Sequence, residues 1–218
     1  MATRREINLG ILSSAAATVA TAGFAQTPQP VVLPPPALEG GLSLMQSLKA
    51  RQSIRDYADR PLSNQELSNL LWAAWGVNRP QSDGRTTPRW RGAYLLDIYL
   101  VRGDGVWLYE PKGHRLMFHM EGDLRGQTTT GQPFAATAPL NLVYAFDAAK
   151  MGNASDAEKN ATCGATAGVT AQNVYLYCAS VGLATVFRES VPAALANTLK
   201  LPPGQIAQFA QTVGYPKT

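Results

Sequence analysis

The chain has 218 residues, 45% of them hydrophobic and 16% charged, which is enough apolar material for one domain with its own core. Its net charge of +4 comes from basic residues scattered along the chain, without the Lys/Arg block expected of a nucleic-acid binder. The two histidines and two cysteines lack the spacing of a metal site.

In chain order, a twin arginine (Arg4, Arg5) comes first, then a mildly apolar stretch over 9–22 and the small residues around Phe24, Gly23 and Ala25. This reads as a signal peptide of the Tat type over residues 1–25, cleaved after Ala25, and the expected location is the periplasm or outside the cell. A general export signal that happens to begin with two arginines is the other reading. The apolar stretch is too short for a stable membrane anchor after cleavage. Residues 26–41 carry Pro28, Pro30, Pro34, Pro35 and Pro36, the composition of an extended linker outside the core.

One domain is expected over 42–218. A short helix over 42–50 leads into a polar segment. Ser63 and Glu66 make a capping box, and the helix they open runs to about Trp75, with Leu67, Leu70, Leu71 and Ala74 on one face and Gly76 at its end. A polar loop is expected over 78–88. Strands follow at 94–101, 106–109 and 115–119, the last two forming a hairpin around Pro111-Lys112-Gly113. Residues 121–125 look like a helix start. The run 141–146 reads as a buried strand, 157–181 as a long helix, 183–187 as a second buried strand, 191–199 as a helix and 206–215 as mostly strand. Helices and strands mix without strict alternation, which predicts an α+β fold.

Cys163 and Cys178 both fall in the long helix. Their separation of about 22 Å along its axis forbids a disulfide, so they are expected to be small core residues. Gly164 and Gly168 share one face of that helix and allow a close backbone approach, to a ligand, a partner subunit or a neighbouring helix. His119 is expected to be a packing residue and not an acid catalyst.

The segment that carries chemistry is Arg51-Gln52-Ser53-Ile54-Arg55. Two guanidinium forks flanking a hydroxyl suit a phosphate monoester, since the fork matches two phosphate oxygens and Ser adds a neutral donor. The same pattern also occurs on solvated surfaces, so its weight depends on what accompanies it.

Four further segments accompany it in order: Leu70 to Arg79; Gly84-Arg85-Thr86-Thr87-Pro88; Ala171 to Leu176 followed by Gly182 to Thr185; and Gln211 to Lys217. Together the five resemble the nitroreductase family of flavin enzymes across about 42–217, and most closely its branch that oxidises azoline rings in peptide maturation. The resemblance implies a central, mostly antiparallel sheet flanked by helices, an intertwined homodimer, and FMN at the dimer interface. It implies that Arg51, Gln52, Ser53 and Arg55 hold the phosphate from one side and Lys217 from the other. It also implies that backbone N–H groups of Arg188, Glu189 and Ser190 lie along the flavin edge, and that Arg85, Thr87 and Pro88 reach the flavin of the other subunit.

One loop departs from the family. Many relatives place Ser-Ala-x-Asn-x-Gln after Thr-x-Pro, where this chain has Arg89-Trp90-Arg91-Gly92-Ala93-Tyr94. Trp90 could stack on flavin or substrate, Arg89 and Arg91 could draw an anionic substrate, and Tyr94 or Arg89 could give a proton. A solvated loop without a role is the plain alternative.

By the resemblance, a hydride enters and leaves through flavin N5 in two half-reactions. The substrate is a small molecule or peptide, and the electron donor is NADH or NADPH. Export conflicts with a nicotinamide donor, which is cytoplasmic, so the direction of the reaction stays open. An exported binding domain that keeps the fold without turnover is the second reading.

Overall fold

The computed structural model describes residues 28–217. The expected signal peptide lies outside the described residues.

The first described element corrects the linker reading. Val31–Val32 (β1) pairs antiparallel with a later strand at Arg115 and Leu116, and Leu33 beside it is buried in the core. The prolines keep the segment extended, as expected. Two valines free of proline are nevertheless enough to add an edge strand and bury one leucine.

Serine caps set the next two helices. Ser43 opens α1 (Leu44–Ala50) and Ser63 opens α2 (Asn64–Trp75). In each, the serine oxygen accepts from the third backbone N–H while the Gln46 or Glu66 side chain accepts from the cap's own N–H. Gly76 closes α2 because its backbone crowds the Trp72 side chain: a Cβ there would lie 2.4 Å from Trp72 Cδ1.

The loop expected over 78–88 has more structure than predicted. Val77–Arg79 (β2) and Gly84–Arg85 (β3) pair antiparallel around a 3-10 turn at Pro80–Ser82. Then come β4 (Leu96–Arg102), β5 (Gly105–Glu110) and β6 (Arg115–Met120). The helix start expected at 121–125 is instead a 3-10 turn at Arg125–Thr128. The chain continues with a short α3 (Phe134–Thr137), β7 (Leu140–Asp147) and the long α4 (Asp156–Val181), which ends at Gly182 with φ of 77°. Next are β8 (Ala184–Arg188), α5 and β9 (Gln205–Gly214). Of the helix expected over 191–199, only Leu195–Thr198 (α5) is helical.

Seven strands form one sheet in the order β1-β6-β5-β4-β7-β9-β8, and each neighbour is antiparallel. Both faces are covered. Leu96, Ile98 and Leu100 of β4, with Leu140, Leu142, Tyr144 and Phe146 of β7, join the core under α2 and α4. Their alternates Tyr99, Val101, Val143 and Ala145 join a second core with Leu195 and Leu199. Burial on both faces explains why these strands read as unbroken apolar runs. This is the expected α+β architecture.

Cys163 and Cys178 are unpaired and fully buried, and burial pushes the Cys163 thiol up to about 11. His119 Nε2 donates to the Leu199 carbonyl at 2.6 Å, a packing role. Among the described residues, a Cβ on Gly164 or Gly168 would meet nothing within 4 Å, so no described helix packs closely on that face.

Candidate active site

The Arg51–Arg55 segment leaves α1 as extended chain and lies along β8. Arg51 N–H caps the helix by donating to the Ser47 carbonyl at 2.8 Å, and Ile54 N–H donates to the Thr185 carbonyl at 3.0 Å. Ile54 is half-buried, while Gln52, Ser53 and Arg55 are exposed.

Tyr175 of α4 organises this segment, a role that sequence reasoning did not give it. Its hydroxyl accepts from Phe187 N–H at 2.9 Å and lies 2.7 Å from Ser53 Oγ. With that N–H taken up, the tyrosine proton can point to Ser53, and the serine proton is left to donate outward. The Arg51 guanidinium sits 5.2 Å from the Tyr175 ring centre, so the same side chain props both donors. The sequence signal lay within the Ala171–Leu176 segment, but in an apolar helix a tyrosine reads as packing.

The C-terminal tail closes on the same place. Ala58 N–H donates to the Tyr215 carbonyl at 2.9 Å, Tyr57 bridges Pro216, and Lys217 N–H donates to the Asp56 carbonyl at 3.2 Å. Lys217 is thus brought to the same cleft as Arg55. Both line a cleft of about 490 Å³ with Asp56, Tyr57, Asp59, Arg125, Phe134 and neighbours. Arg51, Arg55 and Lys217 take part in none of the ion pairs among the described residues, whereas Arg125 is paired with Asp123 at 2.7 Å. Three cations and a hydroxyl without a carboxylate partner form a donor set that fits a dianionic phosphate.

Tyr57 forms the back wall. Its hydroxyl donates to the Ile54 carbonyl at 2.7 Å, and burial pushes its pKa well up, so it remains a neutral donor. Behind it lies Arg188. Expected as a backbone contributor, this residue turns its side chain inward and is 2% exposed. Glu189 is exposed and Ser190 half-buried at the strand end beyond it.

The second group of expected residues sits on a different surface. Thr86 N–H donates to the Gly76 carbonyl at 3.0 Å, and Asn173 Nδ2 of α4 donates to the Ala73 carbonyl at 3.1 Å. These bonds hold the loop on the end of α2 and α2 on α4, and Asn173 Nδ2 also reaches the Thr86 carbonyl at 3.5 Å. Thr87 is buried, and its hydroxyl has no partner among the described residues. Arg85 lies 4.2 Å from the Tyr94 ring centre and 5.1 Å from that of Trp75, with its pKa lowered by burial. Tyr94 donates its proton to the Asp83 carbonyl at 2.8 Å, which commits that hydroxyl within the loop. Pro88, Arg89 and Trp90 line a cleft of about 210 Å³ against Thr162, Ala165, Thr166 and Val169 of α4. Arg91 pairs with Glu158 at 3.2 Å, so it is not a free anion receptor, whereas Arg89 forms no ion pair among the described residues.

The expected residues therefore fall into two clusters: the clamp around Arg51–Arg55, Lys217 and the end of β8, and the loop Arg85–Tyr94. They share α4, which supplies Tyr175 to the first and Asn173 and the 162–169 face to the second. Among the described residues no group of three His, Cys, Asp or Glu side chains could hold a metal, and no helix is long and apolar enough to cross a membrane.

Known proteins resemble this chain in sequence and fold. Residues 48–215 match the nitroreductase family. A protein of Methanocaldococcus jannaschii, provisionally named a nitroreductase, is 31% identical over 154 residues, which is 66% of this chain and 77% of its own. The crystal structure of a provisionally named nitroreductase from Ralstonia eutropha superimposes with a TM-score of 0.83 at 35% identity, covering 89% of this chain and 93% of that one. The fold also matches the Escherichia coli microcin synthetase McbBCD complex with truncated pro-MccB17 bound, with a TM-score of 0.66 at 18% identity over 92% of this chain and 78% of that one. The family match spans the clamp, the loop, α4 and all but the last two clamp-side residues of the tail: the chain belongs to the nitroreductase family and is a flavin-dependent oxidoreductase.

Proposed function

We propose that this protein binds FMN as a homodimer and uses it to pass a hydride between two small molecules in turn. The observation that carries the reading is that Arg55 and Lys217 line one cleft while Arg51 and Ser53, joined through Tyr175, sit on the segment leading into it, and none of the three cations is in an ion pair among the described residues. The family typically binds FMN. When bound, FMN supplies a two-electron carrier, which explains why no triad or carboxylate pair is needed.

The residues of this chain bind and orient. Arg51 and Arg55 present planar forks and Lys217 a point charge to the phosphate, and Ser53 donates its proton once Tyr175 has satisfied the serine oxygen. The backbone at Arg188, Glu189 and Ser190 is proposed to flank the ring. Within one chain the loop carrying Arg85, Thr87, Pro88, Arg89 and Trp90 stands apart from the clamp. That separation supports a dimer in which each loop covers the partner's clamp. The open face of α4 at Gly164 and Gly168 supports the same arrangement. Trp90 is proposed as a wall for the substrate and Arg89 as a receptor for an anionic group. A small planar substrate or a peptide side group suits that cleft. Residues 1–25 support export through the twin-arginine route with cofactor already bound, and the donor is NAD(P)H or a reduced substrate on the far side.

The test is an absorption spectrum of the purified protein before and after anaerobic NADPH. Flavin bands that bleach establish the oxidoreductase with a nicotinamide donor. Bands that persist keep the cofactor and point to a substrate-oxidising role. No flavin after reconstitution with FMN overturns the clamp.

A further inference from the structure

Arg188 is a buried cation surrounded only by neutral partners. Its Nε donates to Thr212 Oγ1 at 2.9 Å, one terminal nitrogen donates to the Thr128 carbonyl at 2.9 Å, and the other donates to Thr128 Oγ1 at 3.2 Å and Asn141 Oδ1 at 3.0 Å. Asn141 and Thr212 are themselves fully buried and bonded to each other at 2.7 Å. No carboxylate pairs with Arg188 among the described residues.

Removing an unpaired charge from water is costly, and an apolar residue of similar size would serve packing more cheaply. Burial lowers the Arg188 pKa only to about 10, so the group stays cationic at neutral pH. The fold thus retains a full positive charge in its interior at a fixed place.

That place is one aromatic layer behind the clamp. Thr212 joins Arg188 to Tyr57: its hydroxyl accepts from Arg188 Nε at 2.9 Å and its carbonyl lies 3.5 Å from the Tyr57 hydroxyl, and the charges of Arg188 and Arg55 both lower the Tyr57 pKa against the larger effect of burial. Tyr57 and Arg55 line the cleft that Lys217 also lines. The acids on that rim, Asp56 and Asp59, oppose an anion, which makes a further positive charge beneath the floor useful. A charge set in a low-dielectric interior is screened less by salt than one on the surface.

We propose that Arg188 is a buried counter-charge for the cofactor: without touching it, the guanidinium acts through its field to favour the dianionic phosphate of FMN over phosphate-free riboflavin. The inference rests on the FMN reading above. It makes Arg188 a positioning residue whose charge matters and whose hydrogen bonds serve mainly to hold the charge in place.

The experiment titrates the full chain, freed of bound flavin, with FMN and with riboflavin by flavin fluorescence. The wild type is compared with Arg188→Gln and Arg188→Lys. The Gln variant keeps polar contacts and loses the charge; the Lys variant keeps the charge and loses the fork. The expected result is a preference for FMN over riboflavin that falls on the order of tenfold in Arg188→Gln and is retained in Arg188→Lys, even if both variants melt earlier. Equal loss of affinity for both flavins, or an unchanged preference in Arg188→Gln, makes Arg188 a structural cross-link and overturns the inference alone. Should Arg188→Gln fail to fold, Arg188→Lys decides the matter: loss of the FMN preference despite the retained charge overturns it. A wild type that binds neither flavin overturns the cofactor reading and this one with it.

Discussion

Arg51 and Tyr175 show how one aromatic side chain can prepare a charged site. The ring supports the guanidinium at 5.2 Å, and the hydroxyl links Phe187 N–H to Ser53. If Arg51 and its neighbours hold a phosphate, Arg51→Ala removes charge-assisted bonds worth about 1.5–3 kcal/mol each, and FMN affinity should fall roughly 10- to 100-fold. Arg51→Lys should recover only part of this, because a point charge cannot offer the fork. Fluorescence titration reads both, and an Ala variant that binds FMN like the wild type sinks the clamp. Tyr175→Phe tests the support. It orphans Phe187 N–H and frees Ser53, so it should lower stability by about 1–3 kcal/mol and weaken FMN less than Arg51→Ala does. Urea unfolding beside the same titration separates the two effects. A Phe variant as stable as the wild type would mean that water replaces the hydroxyl.

At the scale of elements, the end of β9 fixes where the tail runs. Gly214 packs directly under Pro139: a Cβ there would lie 2.7 Å from the proline ring and 3.0 Å from the Tyr57 ring. Neither ring can swing aside, since Pro139 is rigid and Tyr57 is bonded to Ile54. Gly214→Ala should therefore cost about 1–3 kcal/mol of stability and displace Lys217 from Arg55, weakening FMN as well. A thermal melt matching the wild type would show that this corner yields. Long elements of this kind were legible in the sequence. The capping box at Ser63 and the apolar runs of β4, β7 and β8 each carry a local signal that tertiary packing only confirms. What was illegible depends on distant partners. The β2–β3 hairpin is too short and polar to show an alternation, and β1 hides between prolines because two residues have no periodicity. Arg51, Ser53 and Arg55 could be proposed from their chemistry, and Lys217 from the family resemblance alone. Tyr175 could not, because its meeting with Ser53 spans 122 residues of chain. The inward turn of Arg188 was hidden too, since an arginine closing an apolar strand reads as its exposed end.

At the scale of the whole molecule, the proline-rich segment is a strap across the outer face of α2. Gln65 Nε2 donates to the Pro35 carbonyl at 2.9 Å, Ala37 N–H donates to Asn69 Oδ1 at 2.8 Å, and Leu42 N–H donates to the Ser180 carbonyl at 3.1 Å. Its central tie runs through a histidine. Ser68 Oγ donates to the Pro34 carbonyl at 2.6 Å, because a carbonyl can only accept. Its oxygen therefore accepts from His114 Nε2–H at 2.8 Å, and the bare Nδ1 accepts from the Tyr109 hydroxyl at 2.9 Å. Each proton in this chain has one place, and the order requires a neutral ring. Protonation would take the acceptor from a buried tyrosine. Of the charged groups on the same hairpin, Glu110 is paired with Arg115 and Lys112 with Asp83. Burial lowers the His114 pKa below its ordinary 6.5, and the smaller pull of the Pro34 carbonyl opposes this. The unfolded chain then binds the proton more readily than the folded one. The contribution is fully present above about pH 6.5 and is lost as pH falls from there through the lowered folded value. Carboxylates whose folded values are depressed, Glu66 and Asp123, give up their contributions only at lower pH, below their ordinary 4.5 and 3.8. Between about pH 7.5 and 5.5 the unfolding midpoint of the wild type should decline, while His114→Asn, which tolerates the φ of 45° at this turn, should start lower and stay flatter. Parallel declines in the two proteins would place the titrating group elsewhere and leave the strap held by its backbone bonds alone.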